Sequence, residues 1–299
     1  MFKKLRSPSG SLPGTVTAHE KALAPKIHVI DYSVTDFAEY DMNPADVNQL
    51  TELKDRNSVS WIDVQGLGDA TLIENIGQIF NLHPLALEDV VNIPQRPKAE
   101  DYEKIVFMVT FMLTTKNIPH IEAEQIGIFL GPNFIVSFQE KYGDVFEKVR
   151  KRLRLNNSPA RKHGADYLAY ALLDAIIDAY YPILEQIGEY LEELEIAVID
   201  TPERSTIGAV YQIRRELLKL RRTIFPQREL ISTLLRDQNN LFKKDTQIYL
   251  RDCYDHCAQA IDVLETYRDM AGQLMEAYLS GVNNKMNEIM KLLTVISTI

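Results

Sequence analysis

Two hydrophobic patterns divide the chain. Between residues 26 and 140, short runs rich in β-branched and aromatic residues alternate with segments of helical spacing, whereas from Gly143 onward only the helical period remains. The strand-like runs are KIHVIDYS, SVSWIDVQ, KIVFMVTFML, EQIGIFLG and FIVSFQE, and the helical segments between them are ATLIENIGQIFN and PLALEDVVN. We therefore predict an α+β protein, in which an N-terminal α/β domain with a mixed, partly antiparallel sheet precedes a bundle of long helices.

The same pattern predicts the domain boundaries. Residues 1–25 are rich in Ser, Gly and Pro and form an irregular N-terminal arm. Residues 26–155 form the α/β domain, 156–245 a helical hairpin, and 246–299 a long stalk helix.

The predicted hairpin consists of two helices of opposite charge. The first runs from Asp166 to about Ile199 and is expected to kink at Pro182; the second runs to about Asn239 with an interruption at Pro226. The first arm is acidic and the second basic, so we expect the two to lie antiparallel and attract each other.

Two stripes run along the predicted stalk helix. Small or apolar residues recur at spacings of three and four, the pattern of a coiled-coil seam, at Cys253, Cys257, Ala260, Leu264, Tyr267, Ala271, Leu274 and Tyr278. Acidic residues recur every seven positions at Asp255, Asp262, Asp269 and Glu276. A solvated helix face would produce this second stripe, and so would carboxylate rings around the axis of a helical oligomer, which attract cations.

Composition narrows the choice of partner and compartment. The net charge of −9 argues against a nucleic-acid partner and suits a cationic one, including a metal ion. The two cysteines, Cys253 and Cys257, are four residues apart on one helix, where a disulfide is geometrically poor, so the compartment is predicted to be the reducing cytosol. The N-terminal segment MFKKLRSPSGSLPGT lacks the apolar core of a signal peptide.

The sequence contains none of the catalytic motifs that its nucleophilic, acidic and basic residues could form. The sequence has no Gly-rich phosphate loop, no His-x-x-x-His motif and no pairing of a nucleophile with a base, so no catalytic residues are predicted. Acidic clusters do recur, at Glu88 and Asp89 near the end of a short helix and at Asp252 and Asp255 on the stalk. Carboxylates are ligands that Mg²⁺ prefers, but solvated surface acids and a capped helix end explain the same residues.

His256 adds a nitrogen ligand to the stalk cluster. With Asp252 and Asp255 it has the helical spacing i, i+3, i+4, which places all three side chains on neighbouring positions of one face. A zinc site from Cys253, His256 and Cys257 is an alternative, although both cysteines fall on the packing seam.

The last residues, MKLLTVISTI, begin an apolar run without a helix stop signal. No segment of the chain was expected to reach the about 18–20 apolar positions of a membrane span. We therefore expect this run to be the start of a membrane helix that continues beyond residue 299.

Five separated segments resemble the CorA family of divalent cation transporters. They are LHPLALEDVVNIPQRPKAEDYEKIVFMV, FQEKYGDVFEKVRKRLR, ADYLAYALLDAIIDAYY, YLRDCYDHCAQAIDVLETYRDM and YLSGVNNKMNEIMKLLTVISTI, which together extend over most of the chain from about residue 12. The resemblance implies a channel-type transporter of Mg²⁺, and also of Co²⁺ and Ni²⁺, rather than an enzyme. It implies a funnel-shaped homopentamer in the inner membrane, with this chain as its cytoplasmic part and the ion-selecting Gly-Met-Asn loop outside the given residues.

The resemblance also implies roles for individual residues. Asp89 of one subunit would face Asp252 of the next with Mg²⁺ between them, and Glu88, Asp174 and His256 match positions of a second, nearby ion. Bound Mg²⁺ would hold the pore closed, and its loss would let the pore open. The expected pore-lining residues are Glu276, Asn283, Asn287, Met290, Leu293 and Thr294.

Two alternatives remain open at this point. A Zn²⁺ transporter of the ZntB branch would share the architecture, although the Gln-Arg-Pro-Lys turn and the Asp89 and Asp252 pair favour the Mg²⁺ branch. A soluble helical metal-binding scaffold, with an acidic face for a basic partner, belongs to a different class and would have a polar C-terminus.

Overall fold

A mixed sheet of seven strands occupies the N-terminal half of the protein. The structure is a computed structural model that describes residues 12–54, 56–156, 158–200, 203–236 and 241–298. The strands are β1 (Lys26–Tyr32), β2 (Phe37–Met42), β3 (Val59–Gln65), β4 (Lys98–Tyr102), β5 (Ile105–Asn117), β6 (His120–Leu130) and β7 (Phe134–Gln139). Their spatial order is β2-β1-β3-β7-β6-β5-β4.

Strand directions confirm the predicted mixed sheet. β3 and β7 are parallel, whereas β1 is antiparallel to β2 and β3, β4 to β5, and β6 to β7. The sequence pattern missed β2 and β4, the two edge strands, because FAEYDM and KAEDY carry charged residues where inner strands carry apolar ones. Charged residues at edges are common because they discourage pairing with other chains.

Eight α-helices complete the described fold. They are α1 (Thr51–Lys54), α2 (Ala70–Phe80), α3 (Pro84–Val91), α4 (Glu147–Arg154), α5 (Ala165–Asp178), α6 (Tyr181–Asp200), α7 (Arg204–Leu235) and α8 (Lys244–Thr298), with 3-10 turns at Pro44–Leu50 and Pro159–Lys162.

The predicted single helix from Asp166 to Ile199 is in fact two helices. The break lies between α5 and α6, and Pro182 stands in the first turn of α6 instead of kinking a helix interior. A proline costs no helical hydrogen bond there, because the first-turn N–H groups have no helical partner. Pro226 lies inside α7 without ending it, and the predicted helix end near Asn239 falls outside the described residues.

The core of the sheet domain brings α2 and α3 close together. Leu72, Ile76 and Phe80 of α2 are buried in one apolar cluster with Leu87 and Val90 of α3 and with strand residues of the sheet. Gly77 allows this approach, since a Cβ at this position would lie 2.3 Å from the Leu87 Cδ1. The packing fixes α3, the helix that carries Glu88 and Asp89.

A buried charged network ties α4 to the sheet. The fully buried Asp63 accepts hydrogen bonds from Ser137 Oγ at 2.6 Å, Gln139 Nε2 at 2.7 Å and Arg150 Nη2 at 2.9 Å. Arg150 Nη2 also contacts Asp144 Oδ2 at 2.6 Å. Helix α4 is thus anchored through an arginine whose charge is paired, as a buried charge requires.

The chain divides into two compact units. The first contains the described residues of Met1–Leu113, Ala123–Ala179 and Phe225–Cys257, and so holds most of the sheet with α1 to α5. The second contains Thr114–Glu122, Tyr180–Ile224 and the described residues of Ala258–Ile299, and so holds α6 with parts of α7 and α8.

Two ion pairs involve basic residues of α7 in the second unit. Arg221 of α7 pairs with Glu265 of α8 at 2.5 Å, and Lys219 pairs with Glu216 of its own helix at 2.6 Å. Glu189 and Glu193 of α6 are exposed.

Helix α8 has 55 residues and a length of about 80 Å. The predicted seam is buried at Cys253, Cys257, Ala260, Leu264, Ala271 and Leu274, and the predicted acidic stripe is exposed at all four positions. From Val282 to Thr298 every residue is exposed, including Leu292, Leu293 and Ile296. The buried seam confirms helix packing along the first part of α8, and the last part exposes apolar residues beside a polar strip that includes Asn283, Asn287 and Lys291.

One helical stretch in the described residues, Ala165–Ile199, is apolar and long enough to cross a membrane, contrary to the expectation that no segment would be. Two-thirds of its most apolar window, 67%, is buried inside the protein. Core helices of soluble domains meet the same criterion, so the finding is weak evidence for a membrane span.

Candidate metal centre

Helix α3 positions two adjacent carboxylates at its C-terminal end. Its start is capped by His83, whose Nδ1 accepts a hydrogen bond from the Leu85 N–H at 3.2 Å, and Pro84 occupies the first turn. Eight residues later the helix ends, so that Glu88 and Asp89 both lie in its last two turns. Both side chains are partly exposed.

Asp89 has a cationic partner in its own chain. Its Oδ2 accepts a hydrogen bond from Lys98 Nζ at 2.6 Å, and the same Nζ donates to Glu100 Oε1 at 2.7 Å. Burial opposes the charge of Lys98, but its hydrogen bonds to Asp89 and Glu100 outweigh this and raise its pKa. Asp89 therefore carries its negative charge beside a fixed positive one.

A buried glutamine holds the backbone behind Asp89. Gln125 is 1% exposed, and its Nε2 donates to the Asp89 carbonyl at 2.9 Å while its Oε1 accepts from the Gln95 N–H at 2.6 Å. Glu140 in turn accepts the Gln125 N–H at 2.7 Å. These hydrogen bonds pair backbone groups at the end of α3 and in the loop after it. They hold the backbone of Asp89 in place and so fix the direction of its side chain.

Glu88 is held toward the N-terminal arm. Its Oε2 accepts the Gly14 N–H at 2.6 Å and its Oε1 accepts from Asn92 Nδ2 at 3.1 Å. Gly14 has φ +82°, and a Cβ there would lie 2.9 Å from Pro84 Cβ, so this close approach requires glycine. Within the described chain both Glu88 oxygens thus have protein partners.

A second cluster joins α5 and α8 within the first unit. One ligand atom each from Asp174, Asp178 and His256 lies within 4.8 Å of the other two. His256 Nδ1 is 4.0 Å from Asp174 Oδ1, and His256 Nε2 is 3.9 Å from Asp252 Oδ2. The predicted ligands Asp174 and His256 are thus brought together, and among the described residues neither Glu88 nor Asp255 belongs to this group.

The electrostatics of this cluster favour a cation. The Asp174 side chain is 12% exposed, and its pKa is raised first by burial and then by the charge of Asp178, against the opposing effects of His256, Arg152 and a hydrogen bond from Tyr170. Two carboxylates that face each other in a partly buried site repel, and a divalent ion between them would remove that repulsion.

The ligand set suits hydrated or borderline cations. Opposite ligands of a Mg²⁺ ion lie about 4 Å apart, so atoms separated by up to 4.8 Å would reach one ion partly through water or after a small contraction. The imidazole of His256 also suits Co²⁺, Ni²⁺ or Zn²⁺, which accept nitrogen more readily than Mg²⁺ does.

The exposed acids of α8 point outward. The Asp252 side chain is 65% exposed, and Asp255 is exposed as well. Asp252 contacts the cluster only at His256, and its carboxylate is accessible to solvent and to other molecules.

Sequence reasoning missed Asp178, Lys98 and Gln125. A signal existed for Asp178, because Asp174 and Asp178 in DAIID have the same i, i+4 spacing as Asp252 and His256 in DCYDH. No local pattern identifies Lys98 or Gln125, since β4 and β6 bring them to α3 only through the sheet.

The cysteines do not support the zinc alternative on α8. Cys253 and Cys257 are both 0% exposed. Burial raises the pKa of the Cys253 thiol well above its ordinary value and that of Cys257 to about 12. In the metal-free protein both cysteines therefore stay in the protonated thiol form.

The six expected pore-lining residues are all exposed on α8, five of them between Val282 and Thr298 and Glu276 shortly before. Glu276, Asn283, Asn287, Met290 and Thr294 share one helix face by their spacing, and Leu293 lies beside it. Thr294 Oγ1 donates to the Met290 carbonyl at 2.8 Å, which leaves its methyl group on the outside of the helix.

Comparisons with known proteins extend this picture. The family model described as CorA-like Mg2+ transporter protein matches residues 56–299. The chain is 42% identical over 299 residues to the cobalt/magnesium transport protein CorA of Thermotoga maritima, an alignment that covers 99% of this chain and 85% of that protein.

Solved structures share the fold. The complete CorA magnesium transporter of Methanocaldococcus jannaschii superposes with a TM-score of 0.74 at 20% identity, covering 91% of this chain and 82% of that one. The ZntB cytoplasmic domain of Vibrio parahaemolyticus gives 0.68 at 13% identity, covering 88% and 100%. These likenesses confirm the α+β fold, and the sequence match assigns the family. The chain belongs to the CorA-like Mg²⁺ transporters, a family of transport proteins and not of enzymes.

Proposed function

We propose that this chain is the cytoplasmic part of a channel-type transporter for Mg²⁺, with Co²⁺ and Ni²⁺ as further cargo, in the inner membrane. The observation that carries the proposal is the family match over residues 56–299, together with 42% identity to a cobalt/magnesium transport protein. The carboxylates of the metal centre supply the ligand type that these hard and borderline cations bind.

The proposed sensor for cytosolic Mg²⁺ lies between neighbouring subunits. Asp89 of one chain and Asp252 of the next would share an ion; both carboxylates reach the surface, at 23% and 65% exposure. Asp174, Asp178 and His256 would hold a second ion, and Glu88 and Asp255 are proposed as further acids of the sensor. Few direct ligands and several waters suit weak binding, as a sensor of an abundant ion needs.

The proposed pore is built from the last part of α8. In a homopentamer, five copies of the face with Glu276, Asn283, Asn287, Met290 and Thr294 would surround the axis, with Leu293 beside them. Exposed apolar residues between Val282 and Thr298, such as Leu292, Leu293 and Ile296, support burial by other copies and by lipid. Met290 and Leu293 would form an apolar constriction that closes by excluding water.

Gating would follow from the interfacial ions. Two carboxylates on facing subunits repel, and a divalent ion converts that repulsion into a bridge that holds the subunits together and the pore closed. Because Mg²⁺ would bind the closed state more tightly than the open state, its binding would stabilise the closed state. When Mg²⁺ leaves, this stabilisation is lost and the population shifts toward open states.

The proposal is tested by protease protection of the full-length transporter over a MgCl2 series. The variants Asp89→Lys and Asp252→Lys should lose Mg²⁺-dependent protection, since a lysine supplies a permanent cation at the interface. Glu20→Lys, which makes the same charge change at an exposed site, should respond like the parent. A parental response in both Asp variants would show the sensor assignment to be wrong.

The histidine in the second cluster favours one alternative cargo. His256 beside Asp174 and Asp178 would bind Zn²⁺, and the fold is shared with the ZntB cytoplasmic domain. Transport assays with Mg²⁺ and Zn²⁺ in parallel distinguish the two: the Mg²⁺ proposal expects Mg²⁺ uptake, whereas uptake or export of Zn²⁺ alone would replace it.

A further inference from the structure

We propose that Lys98 is a tethered competitor for the divalent ion at Asp89 and sets the Mg²⁺ concentration at which that site fills. The inference rests on the proposed function, in which Asp89 is a Mg²⁺ ligand. Lys98 would be a positioning residue that sets the Mg²⁺ affinity of the site, because its side chain acts through Asp89 and does not bind the ion.

Lys98 already occupies the position of a cation. Its Nζ lies 2.6 Å from Asp89 Oδ2 and 2.7 Å from Glu100 Oε1. The side chain is only 28% exposed, and its ammonium lies 5.9 Å from the centre of the Phe107 ring. An ammonium held between two carboxylates on a strand of the sheet is far less mobile than an ordinary surface lysine.

Mg²⁺ and the ammonium cannot share the same oxygen. A Mg²⁺ ion binds a carboxylate oxygen at about 2.0–2.1 Å, which would place a double positive charge next to the Lys98 ammonium on Asp89 Oδ2. Their repulsion in a partly buried site forces the ammonium to leave Asp89 when the ion binds directly.

Glu100 provides the place to which the ammonium can move. Its Oε2 accepts a hydrogen bond from the Tyr102 hydroxyl at 2.9 Å, which fixes the carboxylate. The Tyr102 ring stacks on His83 with 4.6 Å between centroids, and His83 caps the start of α3. Lys98 can thus release Asp89 and keep one charged partner, so displacement costs less than full loss of its ion pairs.

This arrangement gives the sensor two states without any change of fold. Without Mg²⁺, Lys98 neutralises Asp89 and limits its repulsion of other acids. With Mg²⁺, Lys98 pairs with Glu100 alone. The competition weakens binding at Asp89, so removal of the lysine should strengthen it.

The experiment is calorimetric titration of the full chain with MgCl2, first with Asp89→Asn to identify the binding transition that depends on Asp89. In that transition, Lys98→Gln should bind Mg²⁺ about three- to tenfold more tightly than the parent. Lys98→Arg, which keeps the charge, should restore parental affinity within about twofold. Arg96→Gln removes an exposed positive charge two residues away and should change the affinity by less than about twofold.

Melting temperatures separate competition from a merely structural role. Lys98→Gln should melt lower than the parent in EDTA, because two carboxylates then face each other, and saturating MgCl2 should raise its melting temperature by more than it raises that of the parent. An affinity equal to or below the parent's in Lys98→Gln would overturn the inference while leaving Asp89 as a ligand. Asp89→Asn with an unchanged titration would instead overturn the proposed sensor itself.

Discussion

The two parts of the metal centre treat their negative charge in opposite ways. At the end of α3, Asp89 is paired with Lys98 at 2.6 Å, and Glu88 is hydrogen-bonded to Gly14 and Asn92. Between α5 and α8, Asp174, Asp178 and His256 converge within 4.8 Å, and burial together with the charge of Asp178 raises the pKa of Asp174.

The difference teaches what a divalent ion has to do at each place. In the proposed sensor, an ion at Asp89 would displace the Lys98 ammonium, so its free energy of binding would be a difference between two ion pairs. An ion at Asp174 would relieve a repulsion that folding has built in, so its binding would add stability that the metal-free protein lacks.

The largest expected effect comes from removal of the second cluster. Asp174→Asn combined with Asp178→Asn should reduce Co²⁺ affinity at this cluster more than tenfold, because the imidazole of His256 alone is a weak site. The visible absorption of Co²⁺ bound to His256 measures this directly. The Mg²⁺ transition that depends on Asp89 should persist.

A matched control for that variant is available on α8, the helix that carries His256. Asp262→Asn with Asp269→Asn removes two exposed carboxylates from α8 and should leave the Co²⁺ spectrum unchanged. Equal Co²⁺ binding by the cluster variant and the parent would contradict the assignment of Asp174 and Asp178 as ligands.

An intermediate effect is expected when the support behind Asp89 is removed. Gln125→Leu leaves the partly buried Asp89 carbonyl and the Gln95 N–H without their partner and should lower the free energy of unfolding by about 2 kcal/mol. Urea unfolding in EDTA measures the loss. Mg²⁺ binding that depends on Asp89 should weaken, while Co²⁺ binding at the cluster stays the same.

The exposed Gln78 of α2 provides the comparison for this substitution, since Gln78→Leu should cost less than about 0.5 kcal/mol. If Gln125→Leu were no more destabilising than Gln78→Leu, the proposed support of Asp89 by Gln125 would be unnecessary.

The smallest expected effect concerns pH and a carboxyl outside both sites. Burial, with a further contribution from Glu140, raises the pKa of Glu124 from 4.5 to about 7, although its hydrogen bond from the Lys141 N–H opposes the shift. The folded protein therefore binds a proton that the unfolded chain has released between these values. The contribution of protonated Glu124 to the free energy of unfolding is fully present below pH 4.5 and is lost as the pH rises through about 7.

Glu124→Gln keeps the acceptor oxygen and removes the titration. In EDTA, the variant should gain about 1 kcal/mol relative to the parent on going from pH 5 to pH 8, measured by urea unfolding. The exposed Glu20→Gln should follow the parent at both pH values. A parental pH slope in Glu124→Gln would mean that other groups control the pH response of the fold.

Much of the fold follows from local sequence patterns. The alternation in KIHVIDY and SVSWIDVQ and the heptad seam around Cys257 and Ala260 correspond to β1, β3 and the buried side of α8. Local patterns failed where tertiary context decides. A proline can either kink a helix or stand in its first turn, and the sequence around Pro182 does not distinguish the two. The charged segment β4 forms a strand because it pairs with β5.

The site was only partly predictable for the same reason. Asp174 and His256 were expected together because of the family resemblance, and the structure brings them within 4.0 Å. Lys98 could not be foreseen as the partner of Asp89, because the ion pair depends on β4 lying beside the end of α3 and not on any spacing along the chain.

The most direct test of the central claim asks whether Asp89 of one copy meets Asp252 of another. Asp89→Cys and Asp252→Cys are combined in one full-length chain, oxidised, and separated by denaturing electrophoresis without reductant. We expect a ladder of linked chains that ends at five, and linked pairs when the two single variants are mixed. Single variants alone should give no ladder, since the native cysteines are buried. Monomers only, or ladders from either single variant alone, would contradict an interfacial site shared by Asp89 and Asp252.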